Sequence, residues 1–560
     1  MSPDPNSRQQ TGSADSPKTG PRIHAWLDLL MPSVTDTIFI LLLFAMTCGA
    51  LAPRLLGDAD IGWHIRNGEL ILRTHAITRA DPFSSSMQGK PWYSWEWLYD
   101  VGAAAAHEWA GLNGVVLISA IIIAFTLALL FRLSLARGAN VVITLVFLVF
   151  TFAATAIHLF ARPHILSWLL LLIWFQILDS AQPHLPLVLA RPEAISYNHK
   201  RLFLLPLLML FWVNVHGEFL LGFVLLGIYL ISGLARVFLT VRAPDSERRE
   251  ISSWFQRLAI VTGLCFLVTF INPYGYRLHL HIYRYLSNRW LIDHIEEFQS
   301  PDFHGWAQQA FVLLVLLGII TLAVAPKKIS LPRLLIVLFA VHSGFYAARN
   351  LPTSSMLLTL ILAPPLSHAL TANRLLGSSS GAKSAAKFAA KISALLNTSR
   401  AFAERMGAVE FRLQWHLWPV IAVISGALLC SQGGRFASAQ LMDAHFDSAR
   451  FPVKASDFIL TRKIAGPVFA PDAWGGYLIY RLAPDTKVFL DDRHDLYGEN
   501  FLQDYVKVVS VSPEWKTILD RDGLRWVLVP AGSSLANVMV ETSPWKVVYR
   551  DHTSLLFERD

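Results

Sequence analysis

What most constrains this chain is a recurrence. Between residues 34 and 431, apolar runs of membrane-spanning character return again and again, and the loops that separate them alternate between basic and non-basic. In hydrocarbon each backbone N–H and C=O must be satisfied inside its own segment, so runs of this kind are spanning helices. Composition agrees: 54% hydrophobic residues, 16% charged residues and a mean hydropathy of +0.43 exclude a chain that is soluble throughout. The pattern predicts spans at 34–51, 111–131, 140–159, 165–178, 202–215, 219–239, 258–271, 310–325, 334–346, 353–370 and 417–431, about eleven in all.

Charge sets the expected topology. Lys and Arg gather at Arg132 and Arg137, at Arg191, Lys200 and Arg201, at Arg242, Arg248, Arg249 and Arg257, and at Lys327, Lys328 and Arg333. They gather again at Arg374, Lys383, Lys387, Lys391, Arg400, Arg405 and Arg412. Placing these loops in the cytoplasm leaves the N-terminus inside and the C-terminus outside. Because the net charge of +8 is spent on these loops, no nucleic-acid partner is expected. Residues 1–33 read as a disordered cytoplasmic tail without the order of a cleaved signal peptide, so the first span is retained. Residues 34–371 then form the membrane core with an outer loop at 53–110. A basic cytoplasmic linker at 372–415, a last membrane helix at 416–435 and an extracytoplasmic domain at 436–560 follow. Cys48, Cys265 and Cys430 each sit in an apolar run, so no disulfide framework is implied.

The first outer loop carries Asp58, Asp60 and His64 within seven residues. Asp60 and His64 are four apart and share a face if the segment is helical, with Ile61, Ile65 and Leu72 on a neighbouring one. That pattern predicts a helix lying on the membrane surface. Farther along, Arg162, His164, Asn214, His216, Glu218, Arg277, Glu296, Glu297, Arg349 and Asn350 all fall near the outer ends of spans. Polar groups at such depths are costly without partners or work, so one shared outer cavity is expected. Each also has a plain structural account: Asp58 and Asp60 as helix caps, His64 as a surface residue, Arg162 on a lipid phosphate, Asn214 as a cap, and His342 as a core histidine. Asp58, Asp60, His216, Glu218 and Glu297 offer oxygen and imidazole ligands for a divalent cation, Mg²⁺ or Mn²⁺, although no tight ligand spacing demands one.

From 436 onward the apolar runs shorten to strand length, at 467–470, 487–490, 526–529, 545–549 and 554–557, with helical stretches near 452–465, 500–510 and 513–522. This alternation predicts a small α/β domain. Trp474-Gly475-Gly476-Tyr477 and Asp491-Asp492-Arg493-His494-Asp495 stand out. A strand end is where open α/β sheets place ligands, but a glycine turn and a solvated charge run are the simpler account of both. No nucleophile elbow, phosphate loop, C-x-x-C or dinucleotide fingerprint occurs, so soluble-enzyme chemistry has little support.

The layout of acidic first outer loop, later polar outer loops and terminal α/β domain resembles the fold C glycosyltransferases, which use polyprenyl-phosphate sugars. Asp58-Ala59-Asp60-Ile61-Gly62-Trp63-His64, Asp81-Pro82-Phe83-Ser84, Trp212-Val213-Asn214-Val215-His216-Gly217, Asn272-Pro273-Tyr274-Gly275 and the stretch from Gly476-Tyr477 to Asp491-Asp492-Arg493 are also similar to a group of bacterial membrane proteins placed near them. The resemblance implies an inverting sugar transferase of the bacterial cytoplasmic membrane. Its partners would be a polyprenyl-phosphate-linked sugar, the surrounding lipids and a glycan, lipid or protein acceptor. It implies Asp58 or Asp60 as the base, with His64 beside them, and Arg162, Arg277 and Arg349 on the departing phosphate. A transporter or flippase for lipid-linked glycans, or an assembly protein without transferase activity, would share the same layout.

Overall fold

The computed structural model describes residues 25–183, 199–326, 328–371, 398, 401–413 and 416–560. The expected tail at 1–24, most of the basic linker and Arg191, Lys327, Arg374, Lys383, Lys387, Lys391 and Arg400 lie outside the described residues.

Each predicted span coincides with a helix: α1 (Val34–Thr47), α3 (Trp97–Ala136), α4 (Val141–Thr155), α5 (His164–Ser180), α6 (Leu205–Trp212), α7 (Phe219–Leu239), α8 (Asp245–Val268), α10 (Trp306–Val324), α11 (Leu331–Tyr346), α12 (Leu351–Thr371) and α13 (Leu417–Ser431). Among the described residues, seven helices are long and apolar enough to cross a membrane, and an eighth span follows if Ala401–Arg412 and α13, bent at 66°, count as one. The others are shorter: α6 has 8 residues, and α5 and α11, with 17 and 16 residues, reach only about 25 Å at 1.5 Å per residue. The chain is a multi-pass membrane protein.

Two further helices lie at one end of this bundle, α2 (Asp60–Thr74) in the first long loop and α9 (Tyr276–Ser287) after α8. Helix α3 is broken at Ala110 and Gly111, where Gly111 takes φ +60, a left-handed backbone that suits glycine. Its first turns therefore belong to the loop region and its remainder to the bundle.

The C-terminal domain holds a four-stranded sheet. In chain order the strands are β1 (Val468–Phe469), β2 (Trp526–Pro530), β3 (Trp545–Arg550) and β4 (Ser554–Arg559), and in space they run β1-β2-β4-β3. β1 pairs with β2 in parallel, and the rest are antiparallel. The predicted strand at 487–490 forms only single bridges: Val488 pairs with Val468 and with Ser84 of the first loop. The first loop thereby adds its own backbone to the domain's edge, with the Ser85 N–H donating to Val488 O at 2.8 Å.

Candidate active site

Helix α2 does not lie free on a bilayer surface. Ile61, His64, Ile65, Asn67 and Gly68 are buried, because glycines let two other helices close on it. A Cβ on Gly62 would stand 2.2 Å from Gly476 O, and one on Gly476 would stand 2.4 Å from Ala59 O. Gly476 belongs to α14 (Asp472–Leu482) of the C-terminal domain, so Trp474-Gly475-Gly476-Tyr477 is a packed helix and not a turn. On the other side Gly68 meets the start of α3, where a Cβ would stand 2.0 Å from Asp100 O.

The Asp491–Asp495 run is likewise not a solvated charge run. Asp491 and Arg493 are 0% and 3% exposed. Arg493 Nη2 reaches Asp81 Oδ1 at 2.8 Å and Asp491 Oδ2 at 2.7 Å, and the guanidinium lies 4.4 Å from the Trp92 ring. This clamp ties the domain to the first loop. It also delivers Asp492 to Asp58 and Asp60, so that one carboxylate oxygen from each lies within 4.8 Å of the others.

These acids border a cavity of about 600 Å³ between the loops and the C-terminal domain. Arg162 is its central cation: Nη1 meets Asp58 Oδ2 at 3.0 Å and Glu297 Oε1 at 2.8 Å, and Nη2 meets Asp60 Oδ2 at 2.8 Å. Asp58 also caps α2, accepting the Asp60 N–H at 3.0 Å. Its carboxyl is pushed up to about 6, because burial outweighs Arg162. Burial also raises Asp60, but Arg162 foremost, with Asp492 and His64, holds it below the ordinary range. Asp492 goes the other way: burial and the neighbouring Asp60 push it well up. Asp60 Oδ1 and Asp492 Oδ1 are buried and unpartnered, so a shared proton or a cation belongs between them.

A second cluster stands beside the first. His64 Nδ1 lies 2.5 Å from Asp100 Oδ1, and Asn67 Nδ2 donates to Asp100 Oδ2 at 2.6 Å. His64 Nε2 points toward Glu96 Oε2 at 3.9 Å, and His216 Nε2 lies 3.5 Å from Glu96 Oε1. Glu96 lines the cavity. Its carboxyl is pushed well up by burial and by Asp100.

Of the residues singled out in the sequence, Asp58, Asp60, Arg162, His216, Glu296, Glu297 and Arg349 line this cavity. The Arg349 guanidinium rests 4.8 Å from the Phe298 ring, and among the described residues it makes no ion pair. His64 stands behind the wall. His164 packs deeper, 6.4 Å from the His216 ring, with Nε2 on His158 O. Glu218 Oε2 sits 3.7 Å from His216 Nδ1. Burial raises the Glu218 carboxyl to about 7. Asn214 is occupied structurally, by the Trp97 indole and by the carbonyls of Leu210 and Ile271. Arg277 is exposed on α9 and does not line the cavity. His216 and Glu297 do not join the acidic triad. Sequence reasoning missed Glu96 and Asp100, hidden in an aromatic stretch that suits a membrane belt; the acid between Trp95 and Trp97 was the available signal.

No family model and no curated protein matches the chain in sequence. Solved structures do match in fold. The Archaeoglobus fulgidus oligosaccharyltransferase in its apo form aligns with 91% of this chain and 70% of its own length, at 11% identity and a TM-score of 0.52. The same enzyme tethered to an acceptor peptide gives 12% identity and a TM-score of 0.53, over 90% of this chain and 69% of that one. ArnT from Cupriavidus metallidurans in its apo state covers 95% of this chain and 97% of its own at 13% identity, with a TM-score of 0.45. The chain has the fold C architecture that its sequence resembles, with a small sheet domain at its C-terminus.

Proposed function

We propose that this protein is a membrane glycosyltransferase that moves a sugar from a polyprenyl-phosphate carrier to an acceptor hydroxyl. The observation that carries the reading is the cavity at one end of an apolar bundle, where Asp58, Asp60 and Asp492 converge and Arg349, among the described residues, makes no ion pair. A lipid-linked donor keeps its scissile bond at the membrane surface, which is where such a cavity meets it. Arg349 matches an anionic phosphate in charge and geometry. The oligosaccharyltransferase with this fold supports the reaction class, and fold analogy goes no further.

The acidic triad fits a divalent cation such as Mg²⁺ or Mn²⁺, since two buried carboxylate oxygens there lack partners. Asp58, Asp60 and Asp492 would hold it, and it would supply positive charge against the donor's phosphate. A carboxylate holding a cation is a poor base, so the proton of the acceptor falls to another group. On this reading the cavity end faces outward from the cytoplasmic membrane, with the N-terminus inside and the C-terminal domain outside; the basic loops at the opposite end support it. The polar groups at that opposite end pair with one another, which argues against a continuous path for a flippase.

Glycan and glycolipid mass spectrometry on source cells lacking the gene tests this. Loss of one sugar is expected, restored by the native protein and reduced about 10²-fold or more with Asp58→Asn/Asp60→Asn at unchanged thermal stability. An unchanged profile in the deletion would sink the reading.

A further inference from the structure

The cavity contains a carboxyl that, among the described residues, makes no ion pair with Lys or Arg. Glu96 precedes α3 without capping it and is 14% exposed, its two oxygens facing His64 Nε2 at 3.9 Å and His216 Nε2 at 3.5 Å. The charged and titratable groups that face it are His64 and Asp60 from the α2 segment, Asp100 from α3, Arg162, His216 and Asp495 of the C-terminal domain. Arg162 spends its guanidinium on Asp58, Asp60 and Glu297. A buried carboxyl in that position is costly, and the fold adds a second buried acid behind it. Asp100 is fully buried, grips His64 Nδ1 at 2.5 Å, and is itself fixed by Asn67 and Ser94. The bond to Asp100 turns His64 so that its other nitrogen faces Glu96.

Resting on the transferase reading, we propose that Glu96 is the catalytic base, and that His64 and Asp100 are positioning residues that hold and polarise it. The acceptor O–H gives its proton to the Glu96 carboxylate as the oxygen's electron pair forms the bond to the anomeric carbon. The bond from that carbon to the carrier's phosphate oxygen breaks, and its electron pair leaves with the polyprenyl phosphate. Glu96 returns the proton to water at the cavity mouth. The acidic triad and Arg349 then serve the phosphate, and the Glu96 side serves the acceptor.

The test uses full-length protein in membranes of the deletion strain. The donor and acceptor are those identified by the sugar that native protein restores. Glu96→Gln should lower transfer by about 10²- to 10⁴-fold with expression and melting unchanged, and Glu96→Asp should recover part of it. Activity of native protein should fall on the acid side as Glu96 gains a proton. Asp100→Asn removes a charge that raises Glu96, so this limb should move to lower pH while the maximal rate drops, a shift that a purely structural role would not produce. If native protein restores no sugar, the transferase reading itself fails. If native protein is active and Glu96→Gln matches it, or Asp100→Asn leaves the acid limb in place, the assignment of Glu96 is overturned.

Discussion

The two ends of the helical bundle both bury charge, and they treat it oppositely. At the end without the C-terminal domain, Asp179 of α5 takes Arg333 at 2.9 and 3.1 Å, Arg137 at 3.6 Å, and bonds from Gln182 and Tyr229. Nearby, Glu410 accepts the Val34 N–H at 2.7 Å and pairs with Arg132 at 2.9 Å, capping the start of α1. These carboxylates are enclosed by cations and donors. At the cavity end Asp58, Asp60 and Glu297 share one arginine, Asp492 leans on Asp60, and Glu96 has imidazoles at 3.9 and 3.5 Å but, among the described residues, no ion pair with Lys or Arg. A neutralised cluster fastens helices together; an excess of acid around open volume stores capacity for a cation and a proton.

The largest effect that could break this contrast is at the closed end. Asp179→Ala leaves Arg137 and Arg333 buried without their anion and should cost about 3–5 kcal/mol of stability, read as a fall in the melting temperature of the purified protein. A loss similar to that of Asp58→Asn/Asp60→Asn would erase the difference between the ends. Next comes the contact that builds the cavity. Gly476→Ala drives a methyl into the backbone at Ala59 and Asp60, 2.4 Å from the nearest oxygen. It should cost about 1–3 kcal/mol and lower sugar transfer together with stability, because it separates Asp492 from its partners. Activity unchanged in this variant would mean the triad is not the working centre.

The smallest effect sharpens the comparison. The Glu218 carboxyl, raised to about 7, binds its proton more tightly in the folded protein than in the unfolded chain. That contribution to stability is complete below the ordinary carboxylate range and is lost as pH rises through about 7. Glu218→Gln should therefore gain about 1–2 kcal/mol over native between pH 5 and pH 8, seen as diverging unfolding curves. Parallel curves would show that this carboxyl is no more strained than those at the closed end.

The amino-acid sequence by itself determined that helices cross a membrane, where most of them lie, and that a small α/β domain follows them. Hydrophobic length is a local property, and local properties are written in consecutive residues. It also pointed to Asp58, Asp60, Arg162, His216, Glu297 and Arg349, since polar residues at span ends stand out against an apolar background. What only the tertiary structure decided is how they are grouped. Asp492 joins Asp60 from 432 positions away because Gly62 and Gly476 let α2 and α14 touch, and no pattern along the chain encodes that approach. Glu96 and Asp100 sit among aromatic residues with no motif of their own, and only the fold brings His64 to face both. Arg277 and Asn214, equally polar and equally placed in sequence, face solvent and the backbone, because side-chain direction depends on what each helix packs against.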